Sequence, residues 1–168
     1  MGEGGASQLI GGFIDKEMSV TPNPEYIKEI RDLAGKAPFF NHMAMRLVEV
    51  DIGKASIELD LSHNHLQAFG LVHGGVMATI IDTATFWAVF MGIPEDAGLV
   101  NIDLKLNYLK SVTRGTLTAE GCTIRAGKRI CYSEAKVYSE RQDLVAHGTS
   151  TLMVLSGKAI ETKSKKFI

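Results

Sequence analysis

Residues 76–93, VMATIIDTATFWAVFMGI, run for eighteen positions with a single charged side chain, Asp82, near their middle. A stretch this apolar belongs either in a bilayer or in the interior of a protein. A carboxylate at a bilayer centre costs about 2.5–3.5 kcal/mol on insertion scales, and neither a polybasic flank nor a second span accompanies the run. It therefore reads as a helix from about Gly74 to Met91 packed inside protein. Val76, Met77, Ile80, Ile81, Ala84, Phe86, Trp87, Val89 and Phe90 surround most of its circumference, so it is expected to be buried on nearly all sides.

The segments around it have other periods. NPEYIKEIRDLAGK offers Asn23 as a cap, Pro24 at the first helical position and Gly35 as a stop, with Tyr26, Ile27, Ile30, Leu33 and Ala34 on one face. From Met43 the period is two: Met43, Met45 and Leu47, then, after the turn DIG at 51–53, Ile57, Leu59 and Leu61, form a hairpin with one buried face. After the apolar helix, Val100, Ile102, Leu104, Leu106 and Tyr108 alternate with polar residues, and residues 115–125, 129–139 and 143–155 read as three further strands. If Ala126-Gly127 is a two-residue turn, Cys122 and Cys131 stand opposite one another, as thiols in a reducing compartment.

The expected fold is α+β: a curled antiparallel sheet of about six strands wrapped around one long central helix, with an additional N-terminal helix. Only a curled sheet would cover the apolar helix on most sides. Its two edges and outer face would still need cover, which another copy of the chain supplies naturally. A length of 168 residues suits one domain. Residues 1–21 are expected as a flexible arm, 22–157 as the domain and 158–168 as a solvated tail. With 18 Lys+Arg against 19 Asp+Glu, the net charge of −1 gives no long-range attraction for nucleic acid or an anionic membrane. Two cysteines make no disulfide framework and the start lacks a secretory signal, so a cytoplasmic location is expected.

Chemistry concentrates between Gln67 and Asp82. Glycines 74 and 75 at the head of a helix expose backbone N–H groups at the positive end of its dipole, suited to an oxygen that becomes negative during attack. Gln67 or His73 could add a second donor; the competing structural reading is that the glycines allow a tight bend and His73 caps it. Asp82 has no Lys or Arg three or four positions away. A carboxylate in such a helix is either hydrogen-bonded to a loop, Thr79 or Thr83, or it acts as base or nucleophile. Gly74 and Asp82 are eight residues apart, about 12 Å along a helix. If both serve one carbonyl, they come from two subunits, which predicts a homodimer with two interfacial sites.

The segment QAFGLVHGGVMATIID resembles the signature of the hotdog-fold thioesterases of the phenylacetate-pathway and thioesterase-superfamily-member-2 type. It is also similar to the menaquinone-pathway 1,4-dihydroxy-2-naphthoyl-CoA thioesterases. The likeness extends from about Phe39 to Leu155 and includes the order of strands around one long helix. It implies the hotdog fold and hydrolysis of acyl-CoA or aryl-CoA to free acid and CoA. It further implies Gly74 N–H as oxyanion donor with Gln67, His73 near the sulfur or loop, and Asp82 of the opposite subunit as nucleophile or general base. Asn101 corresponds to a residue that places the water.

Gly75, Phe69, Phe86, Trp87 and Phe90 are candidates for the substrate pocket, although aromatics in such positions also serve as core. Arg125, Lys128 and Arg129, with Lys110 and Arg114 on another connection, are candidates for the phosphates of CoA. No cofactor and no metal are expected, since His63, His65 and His73 come without metal-site spacing. Dimer and tetramer, CoA and acyl carrier protein, and the acyl group all stay open. Two other readings compete: an acyl-CoA dehydratase or hydratase, and a non-catalytic acyl-CoA-binding protein.

Overall fold

A computed structural model describes residues 20–168, so the expected N-terminal arm lies almost wholly outside the described residues. Helix α1, Pro24–Lys36, starts as its sequence dictates: Asn23 Oδ1 accepts from the Glu25 N–H at 3.1 Å and Pro24 occupies the first turn. Its stop is not Gly35. The helix runs on to Lys36 and ends because Ala37, extended at ψ 129°, precedes Pro38, whose ring disfavours helical geometry in the residue before it. A five-residue helix α2, Pro38–His42, follows.

Strands β1, Met45–Asp51, and β2, Lys54–Asp60, form the expected hairpin. A 3-10 turn at His63–His65 leads to α3, Gly74–Phe90, and then come β3, Ala97–Tyr108, β4, Thr116–Ala126, β5, Ile130–Ser139, and β6, Leu144–Ser156. The strands make one antiparallel sheet in the order β1-β2-β4-β5-β6-β3. Cys122 lies opposite Glu134, not Cys131, because the β4–β5 connection is longer than two residues and a bulge between Thr123 and Arg125 shifts the register.

The curled sheet wrapped around a central helix, expected from the apolar run and implied by the hotdog resemblance, does not form. The sheet is open: β1 and β3 are its two edges and do not pair with each other. Helix α3 touches all six strands from one side. One sheet face covers only part of a helix. Val76, Ile80, Ile81, Ala84, Trp87 and Phe90 are accordingly buried, whereas Ala78, Thr79, Asp82, Thr83 and Phe86 are half-buried and Gly75 is exposed. These spacings define a continuous stripe along the helix, and the expectation of burial on nearly all sides fails there.

Close approach of helix and sheet depends on Gly121, where a Cβ would collide with the carbonyl oxygen of Ala84. Thr123 Oγ1, one strand position pair further on, donates to Ala88 O at 2.9 Å. The core they close, with Ile57, Leu59, Ile80, Ile81 and Leu117 essentially inaccessible, stabilises the fold by about 1.5–3 kcal/mol per large side chain.

The C-terminal segment also departs from expectation. Residues 158–168 lie against α1 and the end of α3 instead of standing free in solvent. Glu29 accepts from Lys163 N–H and Ser164 Oγ, both at 2.7 Å, and Ile168 N–H donates to Thr21 O at 3.0 Å. Lys166 is only 1% exposed. Its Nζ donates to Phe90 O at 2.8 Å and Ile93 O at 2.9 Å, satisfying carbonyls at the C-terminal end of α3. Burial pulls its pKa down to about 8, with Glu95 opposing.

Candidate functional site

The head of α3 follows from the residues before it. His65 is buried; its Nδ1 accepts from Ser62 N–H at 3.1 Å and its carbonyl from His73 N–H at 2.9 Å, so it pins the loop to the helix start. Burial and then the charge of His42 lower its pKa, which keeps the ring neutral as that accepting role requires. Between these pins Leu66 and Val72 pair, and Gln67 to Gly70 form a turn with Phe69 88% exposed at its tip.

His73 caps α3: its Nδ1 accepts from Gly75 N–H at 2.9 Å and its carbonyl from Val76 N–H at 2.9 Å. Among the described residues, the Gly74 N–H has no protein acceptor. It is thus an uncommitted donor at the positive end of a 17-residue helix. A Cβ at residue 74 would meet the Tyr108 hydroxyl at 2.7 Å, so glycine is what allows the Tyr108 ring to lie against the helix head. Gln67 Oε1 accepts from Phe69 N–H at 2.6 Å, and its amide nitrogen has no protein acceptor among the described residues. Gln67, Gly74, Met77, Tyr108 and Leu109 line one cleft of about 370 Å³.

Asp82 sits two turns along the half-covered stripe. Asn101 Nδ2 donates to Asp82 Oδ1 at 2.6 Å and to the Asp82 carbonyl at 3.2 Å. Strict alternation along β3 places Asn101 on the face opposite Leu104 and Leu106. A bulge between Asn101 and Asp103 absorbs Ile102 and brings Asn101 to the helix side with them. Behind Asn101, Ser150 Oγ accepts from Thr85 Oγ1 at 2.8 Å, and Thr85 Oγ1 also approaches the Asp82 carbonyl at 2.9 Å. Ser150 and Thr85 are fully buried, and spacing alone does not single them out. Burial holds the Asp82 carboxyl above the ordinary carboxylate range, with the Asn101 hydrogen bond working against that shift. Thr83 Oγ1 donates to Thr79 O at 2.8 Å, so that threonine does not serve the carboxylate.

The aromatic candidates separate. Phe86 lies on the half-covered stripe one turn beyond Asp82, while Trp87 and Phe90 are buried behind it, their ring centroids 5.3 and 5.9 Å from that of Phe86. Phe86 can wall a site on that stripe; Trp87 and Phe90 are core in this chain. Arg125, at the end of β4, and Lys128 and Arg129, on the β4–β5 connection, are exposed. This connection follows Thr123, which is tied to Ala88, so it lies toward the C-terminal end of α3 and away from Gly74 of the same chain. Among the described residues no three His, Cys, Asp or Glu side chains gather as a metal site requires. No helix among them is long and apolar enough to cross a membrane.

Comparison with known proteins agrees with this architecture. The profile of the thioesterase superfamily matches residues 69–146. A Saccharolobus solfataricus protein provisionally named an esterase is 25% identical over 137 residues, covering 82% of this chain and 91% of its own. The 1,4-dihydroxy-2-naphthoyl-CoA hydrolase of Listeria monocytogenes is 28% identical over 112 residues, 67% of this chain and 91% of its own. Among solved structures, a thioesterase from Haemophilus influenzae superposes with a TM-score of 0.73 at 21% identity, covering 81% of this chain and 94% of its own.

Proposed function

We propose that this chain, whose residues 69–146 match the profile of the thioesterase superfamily, is a thioesterase that hydrolyses acyl-CoA or aryl-CoA thioesters to the free acid and CoA. The observation that carries the reading is one helix presenting two complementary groups, one at its head and one on the uncovered stripe. These are the free Gly74 N–H at its positive end and the half-buried Asp82 carboxylate held by Asn101. The Listeria relative, named as a hydrolase of an aryl-CoA, supports the substrate class.

In this mechanism the thioester oxygen accepts from Gly74 N–H and from the Gln67 amide, which stabilises negative charge as the carbonyl carbon becomes tetrahedral. Asp82 supplies the attack, either by removing a proton from water or by adding its own oxygen to the carbon. Collapse expels the thiolate, which leaves as the free thiol once protonated; on the direct route, water then hydrolyses the mixed anhydride and regenerates Asp82. Elevation of the Asp82 pKa makes it a stronger base than an exposed aspartate while it remains ionised above that pKa.

Eight residues of helix separate Gly74 from Asp82 by about 12 Å, so the two belong to different sites unless a second copy brings its own α3 alongside. The uncovered stripe and the free edge of β3, where Ile102 is 52% exposed, support pairing with a second copy. Gly74 of one subunit then meets Asp82 of its partner. Phe69, at the loop tip, and Phe86 would meet the acyl group from the two sides. The deciding experiment is release of free thiol from a panel of short, medium and long acyl-CoAs and aryl-CoAs, with Asp82→Asn in parallel. Wild-type release reduced at least 100-fold by the substitution, at unchanged Tm, is expected. Appearance of an enoyl product would indicate dehydratase chemistry, and CoA binding without thiol release would indicate a sensor.

A further inference from the structure

The uncovered stripe of α3 has an end. Gly75, Ala78, Thr79, Asp82, Thr83 and Phe86 are exposed or half-buried along it. Helical spacing carries the same stripe on to Val89 and Phe90, yet both are only 1% exposed. The C-terminal segment closes the stripe there. Lys166 Nζ stands 4.6 Å from the centroid of the Phe90 ring and 6.0 Å from that of Tyr26 on α1, while it donates to the Phe90 and Ile93 carbonyls. Phe90 in turn stacks on Phe86 with the ring planes 17° apart, and Trp87 meets both rings edge-on. The last ring of the open stripe thus leans on a ring that the C-terminal segment backs.

This segment is fastened on both sides. Asn23, the cap of α1, donates from Nδ2 to the Lys165 carbonyl at 2.9 Å and from its backbone N–H to the Lys166 carbonyl at 3.0 Å. Pro22 and Phe167 pair as an antiparallel bridge, and the Lys166 N–H donates to the Glu95 carboxylate on the connection between α3 and β3. A helix cap needs only a cation at the last carbonyls. A segment tied to α1 and to the end of α3, with a fully buried lysine laid against Phe90, is also a fixed wall.

We propose that residues 165–168 form the end wall of the acyl groove and limit the substrate to short acyl chains or single-ring aryl groups. This rests on the thioesterase reading, in which the acyl group lies against Phe86. From Asp82, Phe86 is about 6 Å along the helix and Phe90 about 12 Å. A ring or a short chain fits within that span. A long acyl chain overruns it and must displace Phe90 or the segment behind it. Lys166 is a positioning residue in this assignment: it touches no substrate and holds Phe90 against Phe86.

The test is the acyl-length profile of kcat/KM in the full chain, over butanoyl-, phenylacetyl-, octanoyl- and dodecanoyl-CoA, for wild type, Lys166→Ala and Lys166→Met. Wild type should fall steeply from the butanoyl and phenylacetyl substrates to dodecanoyl-CoA; a profile that is flat or rises with length would overturn the wall. In Lys166→Ala the dodecanoyl-to-butanoyl ratio should rise about tenfold or more, the scale on which an apolar pocket discriminates methylenes. KM for dodecanoyl-CoA should carry that change, with kcat for butanoyl-CoA unmoved. Lys166→Met, which refills the space but cannot cap the carbonyls, should keep the wild-type ratio. An unchanged ratio in folded Lys166→Ala, or an equal rise in both variants, would overturn the assignment, the latter by tracing the effect to the uncapped end of α3. Trp87, the chain's only tryptophan, reads the same aromatic cluster in wild type by its fluorescence. Phenylacetyl-CoA should shift its emission at concentrations where dodecanoyl-CoA does not, and equal shifts would again overturn the wall. Wild type that discriminates in this way but releases no thiol from any substrate would sink the hydrolase reading and leave the end wall standing.

Discussion

Asp82 and Asn101 show how far single residues carry the argument. A carboxylate in the middle of an apolar helix stands out in any reading of the chain, because burying it uncompensated costs several kcal/mol. Asn101 is different: in a plain alternating strand it belongs to the solvent face, and only the bulge at Ile102 brings it within 2.6 Å of Asp82. Its hydrogen bond favours the ionised carboxylate, while burial favours the neutral acid. Removing it in Asn101→Ala leaves burial unopposed and raises the Asp82 pKa further. Since the proposed reaction uses the carboxylate, the acid limb of kcat/KM against pH should move to higher pH in the variant. A limb that stays in place while the rate falls would mean that Asn101 acts on water or substrate and not on the ionisation of Asp82.

At the scale of elements, each helix end has an identifiable physical cause, though not always a local one. Asn23 and Pro24 start α1, and His73 starts α3 by capping Gly75. The other end of α3 is completed from 76 residues away, by Lys166 Nζ on the Phe90 carbonyl. That contact joins the C-terminal segment to the helix that carries Asp82, and it titrates. The folded-state pKa of Lys166 is about 8 against an ordinary 10.5. Between these values the unfolded chain binds a proton that the folded chain has released, so stability rises with pH across the window. Below it, the ammonium is charged in both states and its burial counts fully against the fold. The Tm of wild type relative to Lys166→Met should therefore increase between pH 7.5 and 9.5; a flat difference would show that the lysine keeps its ordinary pKa in the folded chain.

For the whole molecule, the open sheet leaves two things unfinished in one chain: the edge of β3 and the stripe of α3 from Gly75 to Phe86. A natural edge strand is protected or paired, and β3 carries exposed Val100 and Ile102. Pairing by a two-fold axis would serve the edge and the stripe together. Mixing Asp82→Asn chains with chains blocked at Gly74, as by Gly74→Val, gives hetero-pairs with one intact and one doubly damaged site. Each parent should be inactive, and random exchange of equal amounts should restore about a quarter of wild-type turnover, since half the pairs are mixed and each has one working site of two. Demonstrated exchange without recovery would place Gly74 and Asp82 in separate functions.

The amino-acid sequence by itself determined the order of the strands and the long helix, the packing of that helix inside the protein along one side, and Gly74 to Asp82 as the segment on which the proposed chemistry is placed. Periodicity, caps and a lone carboxylate are local signals, readable without knowing what packs against what. Tertiary structure alone decided that the sheet stays open on one side of α3, that a bulge turns Asn101 inward, and that the tail docks through Lys166. Each of these depends on how sheet pairing, a one-residue slip and a long-range hydrogen bond share out burial among distant segments. No window of neighbouring residues contains that competition.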